Sequence, residues 1–231
     1  MELPENITRT SVDFFGKEYI FERLDPFTIR ITRDGSVSFG SFSGKISIQK
    51  KNEFYERPYL IKFKTDLLLS PRSTLRLFLK LPIITKLVLK NNGKSMEIDK
   101  HIEYNRMAWH GAAHRGVLCI YAEAEFSFGD PFKTKDALIP LRIVNRSNIT
   151  GEISKIVIEP ENLFLVKGDN GFFTNKVHVL FVSSNELGVE YDDKTTTRVI
   201  NPKLIMDRKI SVAKTLLIRF DRLGIAKELG F

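Results

Sequence analysis

The sequence predicts an all-β protein. Three observations carry that expectation: apolar side chains recur at every second position along most of the chain, the segments carrying them are short, and turn-forming residues stand between them. The predicted architecture is two β-sandwich-like units with a short helical turn near the C-terminus.

Phe27, Ile29 and Ile31 alternate with Thr28, Arg30 and Thr32, after which Asp34-Gly35 turns the chain into Ser36–Phe39. Asp-Gly accepts the positive φ that a tight hairpin turn requires. Ile46 and Ile48 alternate in the next strand, and Tyr59, Ile61 and Phe63 alternate with Lys62 and Lys64 in the one after. Leu75, Leu77, Leu79 and Leu81 share a face opposite Arg76, Phe78 and Lys80; Pro82 has no N–H for a ladder, so it ends that strand or puts it at an edge. Lys86–Lys90 and Ser95–Asp99 flank Asn91-Asn92-Gly93-Lys94, a second hairpin signal. Gly116–Phe126 reads as one long strand with Leu118, Ile120, Ala122, Ala124 and Phe126 on its apolar face.

Phe128–Lys135 reads as a linker or long crossover. Strands resume at Leu138–Val144, Ile153–Ile158, Leu163–Val166, Val177–Val182, Leu187–Tyr191 and Ile210–Phe220, and Leu223–Leu229 makes the helical turn. The split therefore falls near residue 130, giving units 1–130 and 131–231. The second has the size and strand spacing of an immunoglobulin-like sandwich but not the Cys…Trp…Cys pattern of true immunoglobulin domains. The competing picture is a single larger two-sheet domain.

At 231 residues, with 42% hydrophobic and 28% charged residues, the chain is not disordered and buries a real core. The acidic start, MELPENITRTSVDFFGKEY, does not resemble a secretory signal, and no apolar run approaches the roughly 18 residues that span a bilayer. A lone Cys119 excludes a disulfide framework and a cysteine-based zinc ribbon. These features predict a cytoplasmic, non-transmembrane protein in which the sequons at Asn6, Asn145 and Asn148 stay unglycosylated. Gln49 is the only glutamine among abundant Lys and Glu, a balance typical of hyperthermophiles.

The net charge of +8 is unevenly spread. Between Arg57 and Lys94 nine basic residues face one acid, Asp66, and a second basic excess runs from Arg198 to Lys227. Lys62, Lys64, Arg76, Lys80, Lys86 and Lys90 would make one anion-binding sheet face able to track phosphates, with Phe78 outward to stack on a base. The same residues also suit a solvated face that resists aggregation, since lysine protects strands.

His101–Gly116 fits neither period and holds three of the four histidines and the only tryptophan. As a binding loop it would offer Tyr104 and Trp109 as flat faces, Arg106 and Arg115 as anion-holding forks, and His110 and His114 beside them. Its bland reading is an ordered loop that tucks Trp109 into the core. A metal site from His110, His114 and either Glu103 or Cys119 is opposed by Gly111 between the histidines and by the absence of an HExxH pattern, so no metal or cofactor is expected. Glu123 and Glu125, about 7 Å apart on one strand face, have the spacing of an inverting glycosidase pair but no accompanying sugar-site pattern. No phosphate-binding glycine loop and no GxSxG occurs.

Three segments carry a resemblance: Ser70-Pro-Arg-Ser-Thr-Leu-Arg-Leu-Phe-Leu-Lys-Leu-Pro82, His114-Arg-Gly-Val-Leu-Cys-Ile-Tyr121 and Ile139-Pro-Leu-Arg-Ile-Val-Asn-Arg-Ser147. In that order, over roughly residues 60 to 185, the chain resembles the mainly archaeal family called domain of unknown function 432. The resemblance implies an archaeal, thermophilic source and transfers no activity, ligand or site residue.

The leading expectation is a non-enzymatic β-sandwich module that binds or organises a partner, either a protein or a second copy joined through an exposed strand edge. The alternative is a nucleic-acid-binding protein using the basic face, a surface that anionic lipid would also suit. An enzyme with its site in the 101–116 loop comes third.

Overall fold

The computed structural model describes residues 2–3, 9–91, 93–103, 106–131, 133–183, 186–195, 199–209, 216–219 and 228–229. In chain order the strands are β1 (Glu2–Leu3), β2 (Arg9–Phe14), β3 (Lys17–Arg23), β4 (Thr28–Arg33), β5 (Ser36–Ser41), β6 (Ile46–Glu53), β7 (Tyr59–Leu69) and β8 (Thr74–Leu81). Next come β9 (Ile84–Asn91), β10 (Lys94–His101), β11 (Met107–His110), β12 (Val117–Glu123), β13 (Phe126–Phe128), β14 (Ala137–Asn145) and β15 (Gly151–Ile158). After one 3-10 turn (Pro160–Asn162) follow β16 (Leu165–Gly168), β17 (Gly171–Thr174), β18 (Val177–Ser183), β19 (Glu186–Tyr191), β20 (Lys203–Met206), β21 (Leu216–Arg219) and β22 (Glu228–Leu229). The protein is nearly all β, as its period-two patterning predicts, and no helix among the described residues is long and apolar enough to cross a membrane.

The chain divides into two compact units, and both are discontinuous. The first is Met1–Glu53 with Ile84–Ile102; the second is Phe54–Ile83 with Glu103–Phe231. A boundary near residue 130 would run through the second unit, because β7 and β8 before it pair with β15 and β14 after it.

The first unit has two four-stranded antiparallel sheets, β2-β3-β4-β5 and β1-β6-β9-β10. Phe14, Tyr19, Phe21, Ile29 and Ile31 from one meet Ile46, Ile48, Leu87 and Leu89 from the other in a buried core. The Asp34-Gly35 turn forms as the sequence predicts, with φ of 47° and 79°. A third hairpin, between β2 and β3, turns at Phe15-Gly16 with φ of 53° and 78°, and the Phe15 ring stacks 3.6 Å from His101. Phe15 is a non-glycine residue in the left-handed region, a conformation that its type does not announce.

The second unit has a five-stranded sheet, β15-β7-β12-β11-β22, with β7 and β12 parallel. It also has a nine-stranded mixed sheet ordered β20-β16-β17-β14-β18-β19-β21, in which β8 pairs with β14 and β13 pairs with β8. Apolar faces of the two sheets meet as in a sandwich: Phe63 of β7 lies 6.0 Å from Phe126 of β13 edge to face, and the Tyr59 hydroxyl donates to the Pro82 carbonyl at 2.9 Å. The strands after residue 131, expected to form an immunoglobulin-like sandwich alone, are part of this larger assembly and include two parallel pairings, β14 with β17 and with β18.

Three local expectations are corrected. The predicted strand Gly116–Phe126 ends at Glu123; the chain then leaves for the other sheet, where β13 joins β8. The 101–116 segment contains a strand after all, β11, which pairs antiparallel with β12. Of the predicted helical turn, residues 223–227 lie outside the described residues, while Glu228 and Leu229 pair with β11 as a strand.

A polar knot ties the rim of the first unit. The buried Tyr19 hydroxyl donates to Asp99 and accepts from Arg33 Nη1 at 3.3 Å, and Lys17 lies 3.4 Å from the same carboxylate. Burial alone would raise the Asp99 pKa, but the bonds from Tyr19 and the Lys100 N–H, with Lys17 alongside, outweigh it and hold it below the ordinary value. A depressed folded value adds stability that is present at neutral pH and lost as pH falls through the folded pKa. Tyr19→Phe is expected to cost about 1–2 kcal/mol at neutral pH in urea unfolding and to flatten the stability loss below the normal carboxylate range.

Candidate functional site

The outer face of the nine-stranded sheet carries charged and apolar side chains in rows set by strand register. Arg76 on β8 lies opposite Arg142 on β14, Arg142 lies beside His178 on β18, and His178 lies opposite Glu190 on β19. Adjacent strands are spaced about 4.8 Å apart, so the run from Arg76 to His178 covers roughly 10 Å. On the next rung Phe78 faces Pro140. Arg76, Arg142, His178, Phe78 and Pro140 line a cleft of about 560 Å³ together with Gly129, Lys176 and Asp192.

Local chemistry fixes each wall. Asn145 closes the far end of β14: its buried amide donates to the carbonyls of Leu69, Ser70 and Ile149 at 3.0, 3.1 and 2.8 Å, and its oxygen accepts from the Ser147 N–H at 2.9 Å. Those bonds hold the start of β8 against the end of β14 and so keep Arg76 and Arg142 in register. Asn175, also buried, donates to the carbonyls of Asn162 and Asp192 at 3.1 and 3.0 Å and accepts from the Phe164 N–H at 3.1 Å. The Asp192 N–H bonds the Lys176 carbonyl at 2.9 Å, so this lattice sets the Lys176–Asp192 wall.

The charges in the cleft do not cancel. Asp192 stands 3.9 Å from His178, whereas the Arg76 and Arg142 guanidinium groups and the Lys176 ammonium have no carboxylate partner among the described residues. Three fixed cations thus face one carboxylate in a concave site. Such a site attracts anions, and the arginine forks match the oxygens of a carboxylate or phosphate.

The six residues expected to form one basic face are spread over three sheets. Lys62 and Lys64 are exposed on β7, Arg76 and Lys80 lie on β8, and Lys86 and Lys90 lie on β9 in the first unit. Lys86 is bound by Glu53 and, at 2.8 Å, by Glu97; Lys80 is bound by Glu125 at 3.3 Å and Asp136 at 3.5 Å. Of the six, Arg76 lines the cleft. Phe78, expected to project from its strand, is 6% exposed and packs with Leu138 and Phe173, so its ring face is not open for stacking.

The strands β11 and β12 form a hairpin whose connecting turn holds residues 111–116. Tyr104 lies outside the described residues. Trp109 on β11 donates its indole N–H to the Ala112 carbonyl at 3.3 Å and sits over Gly116. His114 and Arg115 are exposed in the connecting turn, and Arg106 lies over the Tyr121 ring at 4.8 Å and 3.8 Å from Glu123. His110 shares a sheet face with the buried Cys119; burial first, then the Lys155 charge, lowers the His110 pKa, while burial and then Glu159 push the Cys119 thiol up to about 12. That thiol stays protonated and unreactive at physiological pH. Among the described residues no three His, Cys, Asp or Glu side chains gather to hold a metal ion. The carboxylates expected as a pair are separated by the sheet switch: Glu123 faces Arg106 and Glu125 faces Lys80.

Sequence reasoning missed Arg142, Lys176, His178 and Asp192 as site residues. Arg142 alone had a signal, as the charged residue of an otherwise apolar strand, Leu138–Val144.

Fold and cleft together define an all-β, sandwich-built protein with a cationic cleft on the larger of its two units. The chain belongs to the family described as protein of unknown function (DUF432), whose model matches residues 48–221. Comparison with curated proteins and with solved structures gave no match. The matched span contains every residue named in the cleft, and two of the segments that carry the resemblance, Ser70–Pro82 and Ile139–Ser147, supply the facing strands β8 and β14.

Gly116 has no room for a side chain: a Cβ there would lie 2.2 Å from Trp109 Nε1 and 2.7 Å from the His110 carbonyl. Gly116→Ala should therefore push the indole off the hairpin. The expected readout is a red shift in the fluorescence of the single tryptophan and a stability loss of about 1–3 kcal/mol.

Proposed function

We propose that this protein acts by binding rather than by catalysis, and that the cleft of its second unit receives an anionic group of the partner. The supporting observation is the Arg76–Arg142–His178 row with Lys176 beside it, in which three fixed cations lack carboxylate partners among the described residues. Adjacent unpaired cations do nothing for the fold, since like charges side by side on a sheet oppose pairing. An anion in the cleft removes that repulsion. The scatter of the other lysines over separate sheets, and the ion pairs of Lys80 and Lys86, favour this local site over a continuous basic face.

Pyrophosphate is the probe. At low ionic strength it should raise the melting temperature of the wild-type protein, less so as salt is added. The R76A/R142A double variant should lose that response, whereas K62A/K64A should keep it. A wild-type protein that does not respond, or a double variant that responds as wild type does, overturns the reading.

An assembly role has its own support in the first unit. There β5 is an edge strand of its sheet, with Val37 52% and Phe39 64% exposed on the same side. An uncovered apolar edge is a template for strand addition by a second copy. Light scattering at increasing concentration should show a dimer for the wild type and a monomer for Phe39→Lys; a monomeric wild type removes this role.

A further inference from the structure

Resting on the anion-binding reading of the same cleft, we infer that its ligand is a compact phosphate ester or anhydride joined to an apolar ring-bearing body, the chemistry of a mononucleotide. It is not an extended polyanion.

Confinement of the charge is the first argument. The cationic row is one rung deep. On one side of it the rung is uncharged: Thr74 faces Val144, Val144 lies beside Leu180, and Leu180 faces Gly188. Along β8 the next cation, Lys80, is held by Glu125 and Asp136. Across the sheet the row ends at Glu190, and Asp192 stands at the cleft wall. A nucleic-acid strand needs cations in succession along its phosphates. Here the rung on one side of the three positive groups is uncharged, and on the other side Lys80 is paired with acids.

The second argument is how the two rungs divide the work. Arg76 and Arg142 project from neighbouring strands, so both forks reach one phosphoryl group or two linked ones, with Lys176 as a point charge at the side. Three fixed cations against Asp192 suit a ligand carrying about two negative charges or more. One rung away the lining is apolar, formed by Pro140 and by the 6% of Phe78 that stays exposed. A phosphate alone would leave that rung wet, whereas an attached ring system covers it. The volume of about 560 Å³ lies within the range of small-ligand pockets.

Isothermal titration at low salt with three probes tests this: pyrophosphate, ADP and a long single-stranded oligonucleotide. The expected order places ADP about tenfold tighter than pyrophosphate, with the oligonucleotide weakest per site. Arg142→Ala should weaken ADP and pyrophosphate alike. Pro140→Asp, which spoils the apolar rung, should erase the ADP advantage while pyrophosphate still binds, and that surviving arm also shows that the variant is folded. If ADP binds no tighter than pyrophosphate, or if Pro140→Asp leaves its advantage intact, the ring-bearing body is wrong while the anion site stands. An oligonucleotide that binds most tightly, with a steep salt dependence, overturns the compact ligand. No binding of any probe overturns this inference and the anion-binding reading together.

Discussion

The pairing of β8 with β14 is the constraint from which the rest of the second unit follows. It joins residues 74–81 to residues 137–144 across more than fifty intervening positions, in an antiparallel register that runs from Ala137 opposite Leu81 to Val144 opposite Thr74. Loop closure over such a distance is entropically unfavourable and must be offset by what the pair buries. Leu77, Leu79 and Leu81 on one strand and Ile139, Leu141 and Ile143 on the other are each nearly inaccessible, and Asn145 locks the end with bonds to both flanking loops. Because strand side chains alternate, a register fixed by the buried leucines and isoleucines fixes the other face too. The arginines sit side by side because the core leaves them no other place.

That coupling separates what the fold requires from what it tolerates. A slip of one residue would bury Arg76 and expose Leu77, so packing selects the register without reference to the arginines. Nothing in the packing asks for two guanidinium groups on adjacent strands, and at about 5 Å in a watery setting their repulsion is on the order of 1 kcal/mol. The sheet carries that burden easily, given the apolar area beneath it. Lys80 and Lys86 are neutralised by carboxylate partners, whereas Arg76, Arg142 and Lys176 have none among the described residues.

Much of the fold was legible because period-two patterning reports which face of a strand is buried, and the Asp34-Gly35 hairpin reports its own turn. What sequence could not report was partnership between strands. The apolar face from Leu118 to Phe126 looks continuous, yet the chain changes sheets after Glu123, since Phe126 finds its place beside Phe63 from the other side of the sandwich. The unit boundaries were hidden for the same reason: residues 84–102 return to the first unit because Leu87 and Leu89 complete a core begun by Phe14 and Tyr19. The candidate site was the least legible of all. Arg76 was visible within a run of basic residues, but Arg142, Lys176 and His178 are isolated charges that acquire meaning only when register sets them in adjacent rows.

Net charge along the chain is a poor guide to local charge balance in the fold. The excess of +8 drew attention to the lysine-rich stretch between Arg57 and Lys94, where the sequence holds one acid. In space, acids from elsewhere answer two of those lysines: Glu53 and Glu97 reach Lys86, and Glu125 and Asp136 reach Lys80. Long-range pairing of this kind cannot be counted along a chain, since the partners of Lys80 lie more than forty positions away. Lys62 and Lys64 are exposed on β7, where water screens them. Arg76 and Arg142 are exposed as well, but they stand on adjacent strands with Asp192 as the one carboxylate lining the cleft, and paired guanidinium forks match phosphate oxygens.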